Sequence, residues 1–177
     1  MKILKKAIVS VLFVSTLVAQ TDNYLIDNSK VPDIKMPDNN LSFKMIEGYQ
    51  NYKVVATHFR TDKNEIRYIL ANSIAFNALK SGQNPLPEGS KIVKIGWSVK
   101  KMLSWPAALE ADKIERVEYM VKDSKKFDHK GDHWGYARFI KTKNGYEPWN
   151  KGTKSCIECH SIVKNDDYLF TKYQKRF

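Results

Sequence analysis

From Tyr49 onward the chain alternates its apolar and polar positions in the manner of strands. Tyr52, Val54, Ala56 and His58 alternate with Lys53, Val55, Thr57 and Phe59, and the stretch is rich in residues that suit a pleated surface. Ile66, Tyr68 and Leu70 repeat the pattern, and the polar run Thr61–Asn64 between the two predicts a hairpin. Asn72 or Ser73 then caps a short helix carrying Ile74, Ala75, Ala78 and Leu79, stopped by Gly82. Residues 83–89 form a loop on Pro and Gly grounds. Further strands are expected near Lys91–Val99, Ile114–Val121 and Trp134–Ile140. A helical turn begun by Pro106 is expected over Trp105–Asp112, and a short helix over Lys154–Val163. The sum is an α+β domain, mainly an antiparallel β-sheet with short helices and a C-terminal helix.

The first residues follow a different pattern. Lys2, Lys5 and Lys6 precede an apolar run from Ala7 to Val18, which is shorter than the roughly 20 residues that span a bilayer. Residues 1–19 therefore read as a signal peptide cleaved after Ala19, with an uncleaved anchor as the alternative. This implies export to the periplasm with no membrane span in the mature chain. Residues 20–40, rich in Asp, Asn and Pro, read as an extended tether, and the folded domain is expected over 41–177. A length of 177 residues with 42% hydrophobic positions suits one such domain. The net charge of +11 is spread along the chain without a basic helix or a nucleic-acid motif. It reads as a solvated basic surface suited to an acidic redox partner, not to nucleic acid.

The two cysteines both fall in Cys156-Ile157-Glu158-Cys159-His160, the spacing of c-type haem attachment. On a helical turn, cysteines three apart share a face and reach the same porphyrin edge. His160 then offers its imidazole to the iron as the axial metal ligand. A zinc site would want more Cys or closely spaced His, and a redox Cys pair would sit beside a βαβ unit. The expected cofactor is one covalent haem c with its iron. Residues 161–177 contain no Met or His, so a sixth ligand would have to come from upstream. Met36, Met45, Met102, Met120, His58, His129 and His133 are the available side chains; each reads more readily as a core or surface residue. An open distal position is the default, and open positions favour ligand chemistry over simple electron transfer.

A C-terminal haem motif behind a mainly β domain resembles the cytochrome P-460 family and its relative cytochrome c′-beta. The resemblance runs through His58-Phe59-Arg60-Thr61-Asp62, the Ile66–Ala75 stretch with Ala71-Asn72, and Pro87-Glu88-Gly89. It continues in Lys94-Ile95-Gly96-Trp97, Ala111-Asp112-Lys113, Glu118–Asp123 and Trp134-Gly135-Tyr136-Ala137-Arg138. After the haem motif it closes with Asp167–Lys172. The resemblance implies a homodimer with a five-coordinate haem. One branch of that family bonds a lysine to the porphyrin rim and oxidises hydroxylamine to nitrogen oxides. The c′-beta branch lacks the bond and takes nitric oxide or carbon monoxide in an apolar pocket.

Lys94 matches the cross-linking lysine by its place between Pro87-Glu88-Gly89 and Trp97. It shares a strand face with Ile92 and Gly96, which leaves room for a flat macrocycle, and burial there would favour the nucleophilic amine; composition alone would read it as a surface lysine like Lys91 and Lys100 nearby. Glu118 corresponds to the family's catalytic carboxylate, a general base for protons shed during oxidation; the strand pattern alone reads it equally as a solvated glutamate. Arg60 and Arg138 are candidates for the haem propionates, though pattern alone would leave either on the surface. Phe59, Phe76 and Phe139 are candidates for the pocket wall, or plain core. The expected function is hydroxylamine oxidation at a lysine-cross-linked haem, with electrons passing to a small redox partner. The alternative is c′-beta-like binding of nitric oxide or another gas without turnover.

Overall fold

A computed structural model describes residues 30–129 and 131–175. The expected signal peptide and the first half of the expected tether lie outside the described residues. Six strands form one antiparallel sheet in simple chain order: β1 (Lys53–Arg60), β2 (Glu65–Ala71), β3 (Lys91–Lys101), β4 (Leu109–Lys122), β5 (Trp134–Thr142) and β6 (Gly145–Pro148). Helix α1 (Ser73–Ser81) links β2 to β3, and α2 (Lys154–His160) follows the sheet. Among the described residues no helix is long and apolar enough to cross a membrane.

Local chemistry explains most boundaries. The side chain of Asn72 accepts from Ala75 N at 3.1 Å to start α1, and Gly82 closes it in the left-handed region at φ 75°. The strands present opposite faces to two cores. On one face Val93, Ile95, Val117, Tyr119 and Phe139 pack against Met36, Leu41, Phe43, Ile46 and Tyr49. On the other, Ile69, Ala71, Ile92, Met120, Trp134 and Tyr136 meet α1 and Leu169. A register shift between Val54 and Ala56 lets Val55 and Ala56 both join this second core.

Two expectations need correction, and one strand is new. Residues 30–40 are not an extended tether. Val31 and Met36 are buried in the first core, and Lys35 bridges to Ser42. The sheet face needs that cover, so the folded unit is under way by Val31. The helical turn expected over Trp105–Asp112 is a turn only to Ala108, whose N–H donates to Trp105 O at 2.9 Å. Leu109, Glu110 and Ala111 pair with Lys101, Lys100 and Val99, so ladder bonds override the local helical signal. Finally, β6 was not foreseen. It is only four residues long, although Asn144-Gly145 before it is a hairpin signal.

Candidate haem site

The second face of the sheet is only half covered. Between it and the C-terminal segment lies a cavity of about 340 Å³, lined by sheet residues on one side and by Cys156, Cys159, His160, Leu169 and Phe170 on the other. Helix α2 is anchored at its start: Thr153 donates from its N–H and its Oγ1 to Asp38 Oδ2, at 2.6 and 2.7 Å. Asn39 donates to Tyr136 O at 2.8 Å, which fixes the same segment to β5. Both cysteines face the cavity.

His160 Nδ1 lies 2.6 Å from the carbonyl oxygen of Tyr168. A carbonyl only accepts, so Nδ1 carries the proton and Nε2 keeps its lone pair. Burial, helped by the charges of Lys94 and Arg138, lowers the His160 pKa and keeps the ring neutral. The rings of Tyr136 and Phe170 hold the imidazole from two sides, at centroid distances of 4.9 and 5.2 Å.

Facing this motif, the sheet presents one continuous rung. Ile69 pairs with Lys94, Lys94 with Glu118, and Glu118 with Arg138 across four strands. The Lys94 ammonium and the Arg138 guanidinium both form ion pairs with the Glu118 carboxylate, and Arg116 Nε lies 3.4 Å from it. Burial, then the nearby charges of Arg67, Arg138 and Arg116, pull the Lys94 pKa down to about 7. The rung beside it, made of Ile92, Met120 and Tyr136, is apolar. Donor set, cavity and neutral imidazole together fit a haem held by Cys156, Cys159 and His160.

The other expected residues divide. Arg138 lies in the cavity wall, stacked 3.9 Å over the Trp149 ring. Arg60 reaches the cavity rim but pairs with Asp62 in the β1–β2 turn. Of the possible sixth ligands, only His58 and Met120 reach the cavity. Met36 belongs to the opposite core, and His133 Nδ1 turns to Phe127 O. Phe59, Phe76 and Phe139 do not line the cavity. Phe139 is fully buried in the opposite core, Phe59 is exposed, and Phe76 packs on Tyr173; Phe170 takes the aromatic place instead. The room expected beside Gly96 is already filled, since a Cβ there would meet Glu65 and Arg116 at 3.3 Å.

Glu65, Arg67 and Arg116 escaped the sequence reading. Glu65 is 1% exposed and forms ion pairs with both arginines. No sequence signal distinguishes it from a surface glutamate opening a strand.

The family model for cytochrome P-460 matches residues 46–171. The chain belongs to the cytochrome P-460 family. All six strands, the cavity lining and the Cys156–His160 motif fall inside the matched stretch. A comparison with curated proteins returned no match. Membership makes this cytochrome P-460 family protein a haem- and iron-binding cytochrome.

Proposed function

We propose that this protein is a periplasmic mono-haem c-type cytochrome that oxidises hydroxylamine to nitrogen oxides. Its haem is bonded to Cys156 and Cys159, ligated by His160 and cross-linked to Lys94. The observation that carries the reading is the Lys94–Glu118 ion pair on the rung facing the haem motif. A cavity built only to hold a diatomic gas has no use for this charged row, whereas oxidation of hydroxylamine must shed protons as electrons leave.

When bound, the haem supplies a ferric iron that withdraws electrons from the ligated nitrogen. The protein's own side chains handle the protons. Glu118 takes a proton from the bound N–H or O–H, and Arg138 and Arg116 hold that carboxylate in place. With a pKa near 7, Lys94 presents a large fraction of free amine at neutral pH. A bond from Nζ to a rim carbon of a bound porphyrin would remove one N–H and one C–H, with the two electrons taken by an oxidant of the peroxide class from solution. Tyr136, Phe170 and the Tyr168 carbonyl hold the His160 imidazole that would ligate the iron.

Export is supported by the basic start and apolar run of residues 2–18. The 27 basic and 19 acidic residues beyond the leader, a net charge of +8, support an acidic small redox partner as electron acceptor. Self-association into a homodimer is supported by Leu103, Trp105 and Leu109, which are exposed on the β3–β4 hairpin.

The test is the optical spectrum of the ferrous protein made in a host that attaches c-type haem. The Soret band is expected far to the red of an ordinary c-type haem, and Lys94→Ala should return it to the ordinary position. Hydroxylamine turnover should be lost in the same variant. A native spectrum that is ordinary and high-spin would sink the cross-link, leaving nitric oxide binding without turnover as the function.

A further inference from the structure

The acceptor of the His160 hydrogen bond is held by an unusual piece of backbone. Asp167 and Tyr168 are consecutive non-glycine residues in the left-handed region, at φ 53° and 61°. That conformation is disfavoured for L side chains and persists only where the surroundings over-determine it. Here the surroundings act on one side chain. Both oxygens of the Asp167 carboxylate accept from Lys122 Nζ at 2.7 Å, Oδ2 accepts also from Leu86 N at 2.8 Å, and Oδ1 from Trp134 Nε1 at 3.3 Å.

These donors come from the loop after α1, the end of β4 and the start of β5. The Lys122 and Asp167 side chains are almost wholly buried, at 7% and 9% exposure, and Lys122 also lies 5.3 Å over the Trp134 ring. Breaking such a buried pair on one side leaves an uncompensated charge. The neighbouring chain is tied down as well, since Asn84 Nδ2 donates to Asn165 O at 3.0 Å. The next peptide carbonyl, that of Tyr168, therefore points at His160 Nδ1 with little freedom to turn away.

We infer that Asp167 is a positioning residue for the haem: pinned by Lys122, Trp134 and Leu86, it fixes the Tyr168 carbonyl that orients His160. A firm Nδ1–H···O=C bond raises the basicity of Nε2 and strengthens its bond to iron. A stronger donor favours ferric over ferrous iron and so lowers the reduction potential. The inference rests on His160 being the axial ligand, and concerns how strongly it donates.

The test uses the haem-loaded protein with Asp167→Ala, Asp167→Asn and Lys122→Met. Resonance Raman spectra of the ferrous form read the iron–histidine stretch, and a redox titration reads the potential. The stretch should fall and the potential rise in Asp167→Ala, with smaller shifts in the same directions in the other two. Should Asp167→Ala fail to fold or load haem, Asp167→Asn and Lys122→Met decide. Native stretch and potential in those two folded, loaded variants would overturn the inference and leave Asp167 a purely structural residue. Absence of an iron–histidine stretch in the unsubstituted protein would instead refute the axial role of His160.

Discussion

Lys94 has its amine among the guanidiniums of Arg67, Arg138 and Arg116 and the carboxylates of Glu118 and Glu65, and burial with the three cations draws its pKa from the ordinary lysine value to about 7. Between pH 7 and 10.5 the unfolded chain therefore binds more protons at this position than the folded chain. Stability contributed by this residue should rise with pH through that window, and the penalty should be fully present below pH 7. In the haem-free chain (Cys156→Ser with Cys159→Ser), Lys94→Met should be the more stable form in acid. Its advantage should shrink as pH rises from 7 to 10, followed by urea unfolding at each pH. An advantage independent of pH would mean that packing, not charge, sets the cost. The haem motif was legible in its local spacing, whereas Lys94 and Glu118 were singled out only by the family resemblance, the strand period telling no more than which face of its strand each takes. Glu65 was not legible. A carboxylate reads as solvated until its two arginine partners on β2 and β4 are known to lie across the sheet from Gly96.

At the scale of elements, α2 depends on a residue far away in the chain. Its seven residues meet the second core through the half-buried Cys156 and Ile157, and so short a helix needs an anchor at its start. Asp38 supplies the missing anchor through Thr153 N and Oγ1. Gly152 keeps the approach open, since a Cβ there would come within 2.9 Å of the Asp38 carboxylate. Asp38→Ala should cost about 2 kcal/mol of stability, the usual scale for losing hydrogen bonds to a charged group, read by urea unfolding. Covalent haem loading should fall alongside it, measured as the haem-to-protein absorbance ratio. An unchanged midpoint and loading would show that α2 holds its place without Asp38. Composition marked residues 20–40 as polar and loop-like, which is true of Asp38 and Asn39 locally. Their roles appear only because Met36 and Val31 dock the segment across the sheet.

For the whole molecule, the β3–β4 hairpin reaches past its neighbours. β2 pairs with β3 only to Ser98, and β5 pairs with β4 only from Arg116, whereas β3 and β4 pair with each other out to Lys101 and Leu109. Its tip carries Leu103 at 96% and Trp105 at 65% exposure. Large apolar side chains held that far into water suit a surface that another copy covers. Leu103→Ser with Trp105→Ser should convert a dimer to a monomer in sedimentation, with the Soret band of each form unchanged. A native monomer at the same concentration would remove the dimer from the reading.

The sequence by itself determined the sheet-dominated fold, the haem motif at its end, and the face shared by Ile92 and Lys94. Those features follow from periods of two and from a five-residue spacing, which any segment carries without reference to the rest of the chain. The tertiary structure alone decided which charges meet. It joined Lys94, Glu118 and Arg138 on one rung, sent Phe139 to the opposite core and brought Phe170 to the cavity. Period two says which side of its own strand a residue takes. Strand order, register and the return of residues 30–40 and 161–171 over the sheet say what waits on that side.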